Sequence, residues 1–242
     1  QVEVNVLGRE IRELDRVEAQ RGKAITLSVD AELQESVQQR LSRERSAAAV
    51  IMDVHTGAVY SLASYPSFAP GQFTSGIDPP KWEDLLSDPA NPLNNKAVSG
   101  LYPPGSTFKM VTALAGLDSG VIDKHTQFHC PGHFDYGEDR FHCWKSAGHG
   151  TMHLDDAIIE SCDTFFYKAA IEIGIEKIAE TARNLGYETD YDFPLAEMRS
   201  GIVPDKDWKR GRFGTKWQPG ETVVAAIGQG YTQATPLQLA VM

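Results

Sequence analysis

The sequence predicts an α+β or mixed α/β domain with an antiparallel sheet. Three observations point there: a capped amphipathic helix over 31–43, two apolar runs over 47–52 and 59–63 parted by turn residues, and a remainder dominated by helical patterns.

Val2, Val4 and Val6 alternate, Gly8-Arg9 permits a turn, and Ile11 and Leu14 follow, which predicts a short hairpin-like piece. Residues 12–21 are charged and read as surface or linker. Ile25, Leu27 and Val29 form a second alternating run. Asp30 then suits the N-cap of a helix that places Leu33, Val37 and Leu41 on one face. Residues 47–52 read as a buried strand, 53–57 as its turn, and 59–63 as the returning strand. Residues 66–92 are rich in Pro, Gly, Asp and Asn and predict a long ordered loop.

A helix is expected from about Ser106 to Gly120, with Met110, Val111, Leu114 and Leu117 on its apolar side. Residues 125–153 predict a loop dense in His, Gly and aromatics. Helical patterns follow over 154–160, 164–173 and 175–185, a mixed loop-rich stretch over 187–220, an apolar run over 223–227, and the start of a helix at Pro236.

A chain of 242 residues with 41% hydrophobic content supports one large core, or one domain with a small appendage. The formal net charge of −10 argues against a nucleic-acid partner. No stretch approaches the roughly 18 apolar residues of a spanning helix, and residues 1–12 lack a signal-peptide core. The fragment is expected to be soluble, with an anchor on a longer parent chain left open.

Ser106 and Lys109 stand three apart at the start of a helix, so both face the same way. A serine hydroxyl is a weak nucleophile until a base takes its proton, and a lysine serves once it is neutral. The helix start adds a backbone N–H for a developing oxyanion. Alone, this spacing equally describes a capping serine with a solvated lysine. Tyr102-Pro103-Pro104-Gly105 before the serine and the apolar helix after it favour chemistry. Ser161-Cys162-Asp163 lies between two helices, where Ser161 can relay a proton and Asp163 can hold a substrate amide, or either can simply cap a helix.

These residues, with Thr164-Phe165-Phe166-Tyr167 and Gly228-Gln229-Gly230-Tyr231 running into Ala234-Thr235-Pro236-Leu237-Gln238, resemble the class B penicillin-binding proteins, in particular their elongation-specific members. The resemblance covers nearly the whole chain. It implies the fold shared by penicillin-binding-protein transpeptidases and serine β-lactamases, an antiparallel sheet flanked by helices. It divides the chain into the end of an N-terminal pedestal domain with a linker (1–22) and a transpeptidase domain (23–242).

The resemblance makes Ser106 the acylated nucleophile, Lys109 its base, Ser161 the relay and Asp163 a substrate-holding group. Asp163 stands where many relatives have Asn. The implied reaction is D,D-transpeptidation: a stem peptide ending in D-Ala-D-Ala acylates Ser106, D-Ala leaves, and an amine of a neighbouring strand resolves the ester. β-Lactams would trap the acyl-enzyme. The implied partners are a glycosyltransferase and a scaffold protein of the elongation machinery, at the periplasmic face of the inner membrane. The family's third motif, Lys-Thr/Ser-Gly, does not occur before Met242. The C-terminal strands are therefore expected to be missing, and the fragment to be weakly active or inactive. A class D-like β-lactamase and a β-lactam sensor are the alternatives.

The three cysteines fall in one stretch with several histidines. Cys130, Cys143, His149 and Cys162 are spaced by 12, 5 and 12 residues. Thiolates with imidazole are the usual set of a tetrahedral structural zinc site, although no tight C-x2-C pair is present. The alternatives are a Cys130–Cys143 disulfide with Cys162 free, or unrelated thiols. The resemblance favours metal, since some of its members carry one at this place. The basic and aromatic stretch from Trp208 to Trp217 reads as a solvated loop with packed tryptophans, rather than a glycan contact.

Overall fold

Alternation with a glycine turn makes the first element a β-hairpin, Val2–Val4 (β1) against Glu10–Glu13 (β2), with a bulge after Glu3. The computed structural model describes all residues except 1, 14–16, 19, 75, 190, 192, 194 and 196. Leu14 of the anticipated hairpin therefore lies outside the described residues. Ile25, Leu27 and Val29 form no strand and stay exposed. Their segment is tied down instead by Ser28 Oγ donating to Val59 O (2.8 Å) and Asp30 N to Tyr60 O (3.0 Å).

Helix Ala31–Leu41 (α1) starts where Asp30 accepts the Leu33 N–H at 2.9 Å. It lies on the antiparallel hairpin Ala47–Met52 (β3) and Val59–Tyr65 (β4). Gln34 fastens it there, accepting from Leu62 N at 2.8 Å and donating to Leu62 O at 3.1 Å.

The Pro-rich stretch anticipated as loop contains a 3₁₀ turn, Pro70–Phe73, and helix Pro79–Ser87 (α2). Pro79 and Pro80 occupy the first turn of α2, where their missing N–H groups cost nothing, so proline marks a helix start here. Helices Lys96–Ser99 (α3) and Lys109–Asp118 (α4) follow. The turn that carries Ser106, Gly105–Phe108, is 3₁₀. The buried face of α4 is Val111, Thr112, Ala113, Ala115 and Gly116, whereas Met110, Leu114 and Leu117 are exposed. The small residues are what allow α4 to approach α6 and α7 closely.

The His-rich stretch is not loop but four short strands: Gln127–Cys130 (β5), His133–Tyr136 (β6), Asp139–His142 (β7) and Gly150–His153 (β8). They pair antiparallel as β5–β8 and β6–β7. Helices Leu154–Ile159 (α5), Asp163–Ile173 (α6), Ile175–Asn184 (α7), Lys206–Phe213 (α8), Pro219–Ala225 (α9) and Pro236–Val241 (α10) complete the order. The apolar run over 223–227 thus belongs mainly to a helix.

Helix α6 is the centre of the molecule. Phe165, Phe166, Ala169 and Ala170 on it are fully buried, and it touches α4, α7, α9 and β5. A helix apolar nearly all round is a core helix. Its N-terminus therefore sits on rigid packing, with the catalytic candidates at its first turn. No helix among the described residues is long and apolar enough to cross a membrane.

Candidate active site

The turn that presents Ser106 is built from backbone. Tyr102 pairs with Ala234 through two hydrogen bonds of 2.9 and 3.0 Å, and Gly105 N donates to Gly228 O at 2.9 Å. Gly105 and Gly228 both have positive φ, 58° and 69°. A Cβ on Gly228 would lie 2.5 Å from Gly105 O. Glycine is required there because two chain segments touch through backbone. Ser106 is exposed, and three residues on Lys109 is almost wholly buried at 2% relative exposure. In a 3₁₀ turn residues i and i+3 eclipse, so the tighter turn aligns the two more closely than an α-helix would.

Lys109 Nζ donates to Ser161 O (2.8 Å), Ser161 Oγ (2.9 Å) and Asp163 Oδ1 (2.6 Å). These three acceptors match the three protons of an ammonium. Ser161 Oγ in turn donates to Ser106 Oγ at 2.9 Å. Ser106, Ser161 and Lys109 thus form one chain of hydrogen bonds, with Ser161 in the middle. Asp163 is the first residue of α6, where the helix dipole favours a carboxylate, and its Oδ2 accepts the Trp144 backbone N–H at 2.9 Å. Ser161 has φ 51°, rare for a residue with a side chain. All four residues singled out from sequence, Ser106, Lys109, Ser161 and Asp163, meet in one site.

The Cys/His set also converges. One ligand atom from each of Cys130, Cys143, His149 and Cys162 lies within 4.8 Å of every other, and the three cysteines are free thiols. The disulfide reading is thereby corrected: three thiols around one imidazole, not one pair, is the arrangement. His149 Nδ1 is 3.5 Å from Cys130 Sγ and from Cys143 Sγ. A tetrahedral zinc with bonds of about 2.3 Å to sulfur and 2.0–2.1 Å to nitrogen has an N–S edge of about 3.5 Å, so the set fits that ion. Burial resists ionisation of the Cys130 thiol, but hydrogen bonds, one of them from His149, outweigh it and bring the group down to about 6. Burial pushes Cys162 up to about 12. His149 Nε2 is buried without a hydrogen-bond partner.

Trp144, which sequence reading passed over, joins the two groups. It follows Cys143, its ring meets the His149 ring edge-on at 5.3 Å, and its indole N–H reaches the carbonyls of Glu160 and Ser161. No spacing or composition signals an indole bound to a distant carbonyl. The Trp208–Trp217 stretch forms α8 and a packed aromatic group in which Trp208 meets Phe213 and Tyr231, with the buried Lys209 paired to the half-buried Glu221 and its ammonium over the Trp217 ring.

A serine, a relay hydroxyl and a buried lysine on this fold define a class: residues 47–242 match the model of the penicillin binding protein transpeptidase domain, and the chain belongs to that family. It is 42% identical to the peptidoglycan D,D-transpeptidase MrdA of Escherichia coli K12, over 99% of this chain and 38% of that protein. It superposes on the PBP2 of a complex between PBP2 and MreC from Helicobacter pylori with a TM-score of 0.87, at 38% identity, over 98% of this chain and 45% of that one. A chain of a peptidoglycan synthase complex that coordinates polymerization and crosslinking matches with a TM-score of 0.79, at 34% identity, over 98% of this chain and 44% of that one. The chain spans less than half the length of these relatives.

Proposed function

We propose that the chain supplies the acylation centre of a peptidoglycan D,D-transpeptidase, with Ser106 as nucleophile. The hydrogen-bond chain Ser106–Ser161–Lys109 carries this reading. With Lys109 neutral, the two bonds reverse direction. The Ser106 proton passes to Ser161 Oγ while the Ser161 proton passes to Nζ, and the freed Ser106 oxygen attacks the penultimate D-Ala carbonyl. The Ser106 backbone N–H, at the start of its turn, would bind the oxyanion. The same protons return to the departing D-Ala amine. An amine of a neighbouring stem peptide then resolves the ester and forms the crosslink. Asp163 holds Lys109 in position through the hydrogen bond from Nζ to Oδ1, which is an ion pair once the amine has taken the proton.

Cys130, Cys143, His149 and Cys162 would hold a structural zinc, which fixes Cys162 between Ser161 and Asp163 and plays no part in proton transfer. By likeness to the relatives, the enzyme acts in wall elongation at the periplasmic face of the inner membrane. A scaffold of the MreC kind and a glycosyltransferase would be its partners, and residues 1–22 would end a pedestal domain.

The test is intact mass of the protein at its native length, which continues past Met242 in the relatives, after incubation with a β-lactam. One adduct of the drug's mass, mapped to Ser106, absent in Ser106→Ala and persisting for many minutes, is expected. An adduct elsewhere, or none, removes the reading; rapid loss of the adduct would mark a β-lactamase instead.

A further inference from the structure

Ser161 does the relay's work from a strained position. It leaves the C-terminal end of α5 with φ 51°, where helices commonly place glycine. A residue with a side chain persists in that region only when its surroundings over-determine it. The peptide units on either side show what does so. Cys162 N donates back to Ala157 O at 2.8 Å. The Ser161 carbonyl accepts Lys109 Nζ at 2.8 Å and Trp144 Nε1 at 3.0 Å, and the same indole N–H reaches Glu160 O at 3.0 Å.

Of the two donors on the Ser161 carbonyl, Lys109 changes its proton count in each turnover. A hold that relies on it weakens at the moment the relay is used. The indole N–H is neutral throughout and keeps both of its carbonyls as the proton moves. The backbone of the same residue donates to Asp163 Oδ2 at 2.9 Å and so aims the carboxylate that grips Lys109. One tryptophan thus bonds to the peptide of the relay and to the partner of the base. Its ring stays largely open to solvent, at 63% relative exposure, so burial of apolar surface does not account for its placement.

We infer that Trp144 is a positioning residue for acylation: its indole N–H holds Ser161 in the left-handed conformation that aims Oγ at Ser106 and Lys109 together. The inference rests on the reading of Ser106 as nucleophile. The fitting comparison is the protein at its native length against Trp144→Phe, and against position 144 filled by benzothienylalanine, which keeps the bicyclic shape and loses the N–H. With a fluorescent penicillin, both variants should show a maximal acylation rate lowered by about tenfold, and a non-covalent dissociation constant within about twofold of the parent. Bound metal and unfolding temperature should not change. A purely structural tryptophan would move the last two and spare the benzothienyl form. Parental rates in both variants overturn the inference. If the parent itself is not acylated, the reading of Ser106 fails. The crystal structure of the benzothienyl form then decides: Ser161 leaving the left-handed region supports the role of Trp144, and Ser161 unmoved overturns it.

Discussion

At the scale of single residues, the turn that presents Ser106 depends on an atom that is not there. Gly228 lies against Gly105 so closely that a methyl group would meet Gly105 O at 2.5 Å, Phe108 Cβ at 2.7 Å and Gly105 N at 2.8 Å. The obstacles are mostly backbone, so nothing swings aside. Gly228→Ala also places a side chain at φ 69°. Left-handed strain and overpacking together should cost about 2–4 kcal/mol. Because Gly105 directly precedes Ser106, a shift of about 1 Å there should slow acylation by about a hundredfold. Urea unfolding and the rate of penicillin labelling check both figures, and a variant of parental stability and rate would show that the turn relaxes freely. Ser106 and Lys109 stood out in sequence less by their spacing, which a capping serine shares, than by the Tyr102-Pro103-Pro104-Gly105 entry and the apolar helix around them. Gly228 was legible only through family likeness, and Trp144 not at all, since its partners lie 16 and 17 residues away.

At the scale of elements, caps were read better than short strands. Asp30 announced α1, and Pro236 marked the start of α10, which the structure closes with a capping box between Thr235 and Gln238. The strands of the His-rich stretch have four residues each, too few for alternation to stand out, and glycines interrupt them. Their order comes from pairing across up to 26 residues, as between Gln127 and His153. Asp205 shows what a cap contributes beyond its own helix. It accepts the Trp208 N–H at 2.7 Å and Arg183 Nη2 at 2.7 Å, so it joins α8 to α7. Burial raises its pKa, but these bonds outweigh burial and leave it below the ordinary 3.8. A depressed folded pKa means the stabilisation is complete above the ordinary value and is lost as pH falls through the folded one. Asp205→Ala should therefore cost about 1–2 kcal/mol at pH 7. The gap to the parent should narrow in urea titrations below about pH 4. A gap that is constant with pH would mean the cost is packing rather than charge.

At the scale of the whole molecule, the fold brings together segments that sequence separates widely. Ser106 bonds to Ser161 across 55 residues, and the turn before Ser106 leans on Gly228. Periodicity gives the class of element but says nothing of which ends meet, so the site's assembly was readable only through its motifs. The Cys/His group brings four of these segments to one point. Cys130 ends β5, Cys143 follows β7, His149 precedes β8, and Cys162 caps α6. A metal at these four residues would clamp both small sheets onto the first turn of the central helix, between Ser161 and Asp163. The protein purified without chelator should contain one zinc per chain. Removing it should lower the unfolding temperature by about 10 °C or more, since a structural zinc contributes several kcal/mol and each shifts a domain of this size by about 2–4 °C. Acylation of Ser106 should slow with it, because Ser161 and Asp163 flank Cys162, and zinc added back should restore both. Cys130→Ser, remote from Ser106 in sequence, should reproduce the loss. Metal analysis of unchelated, reduced protein settles the matter: zinc well below one per chain, or a melting temperature indifferent to chelation, would leave the four residues as a packed thiol core whose support for the active site is van der Waals contact alone.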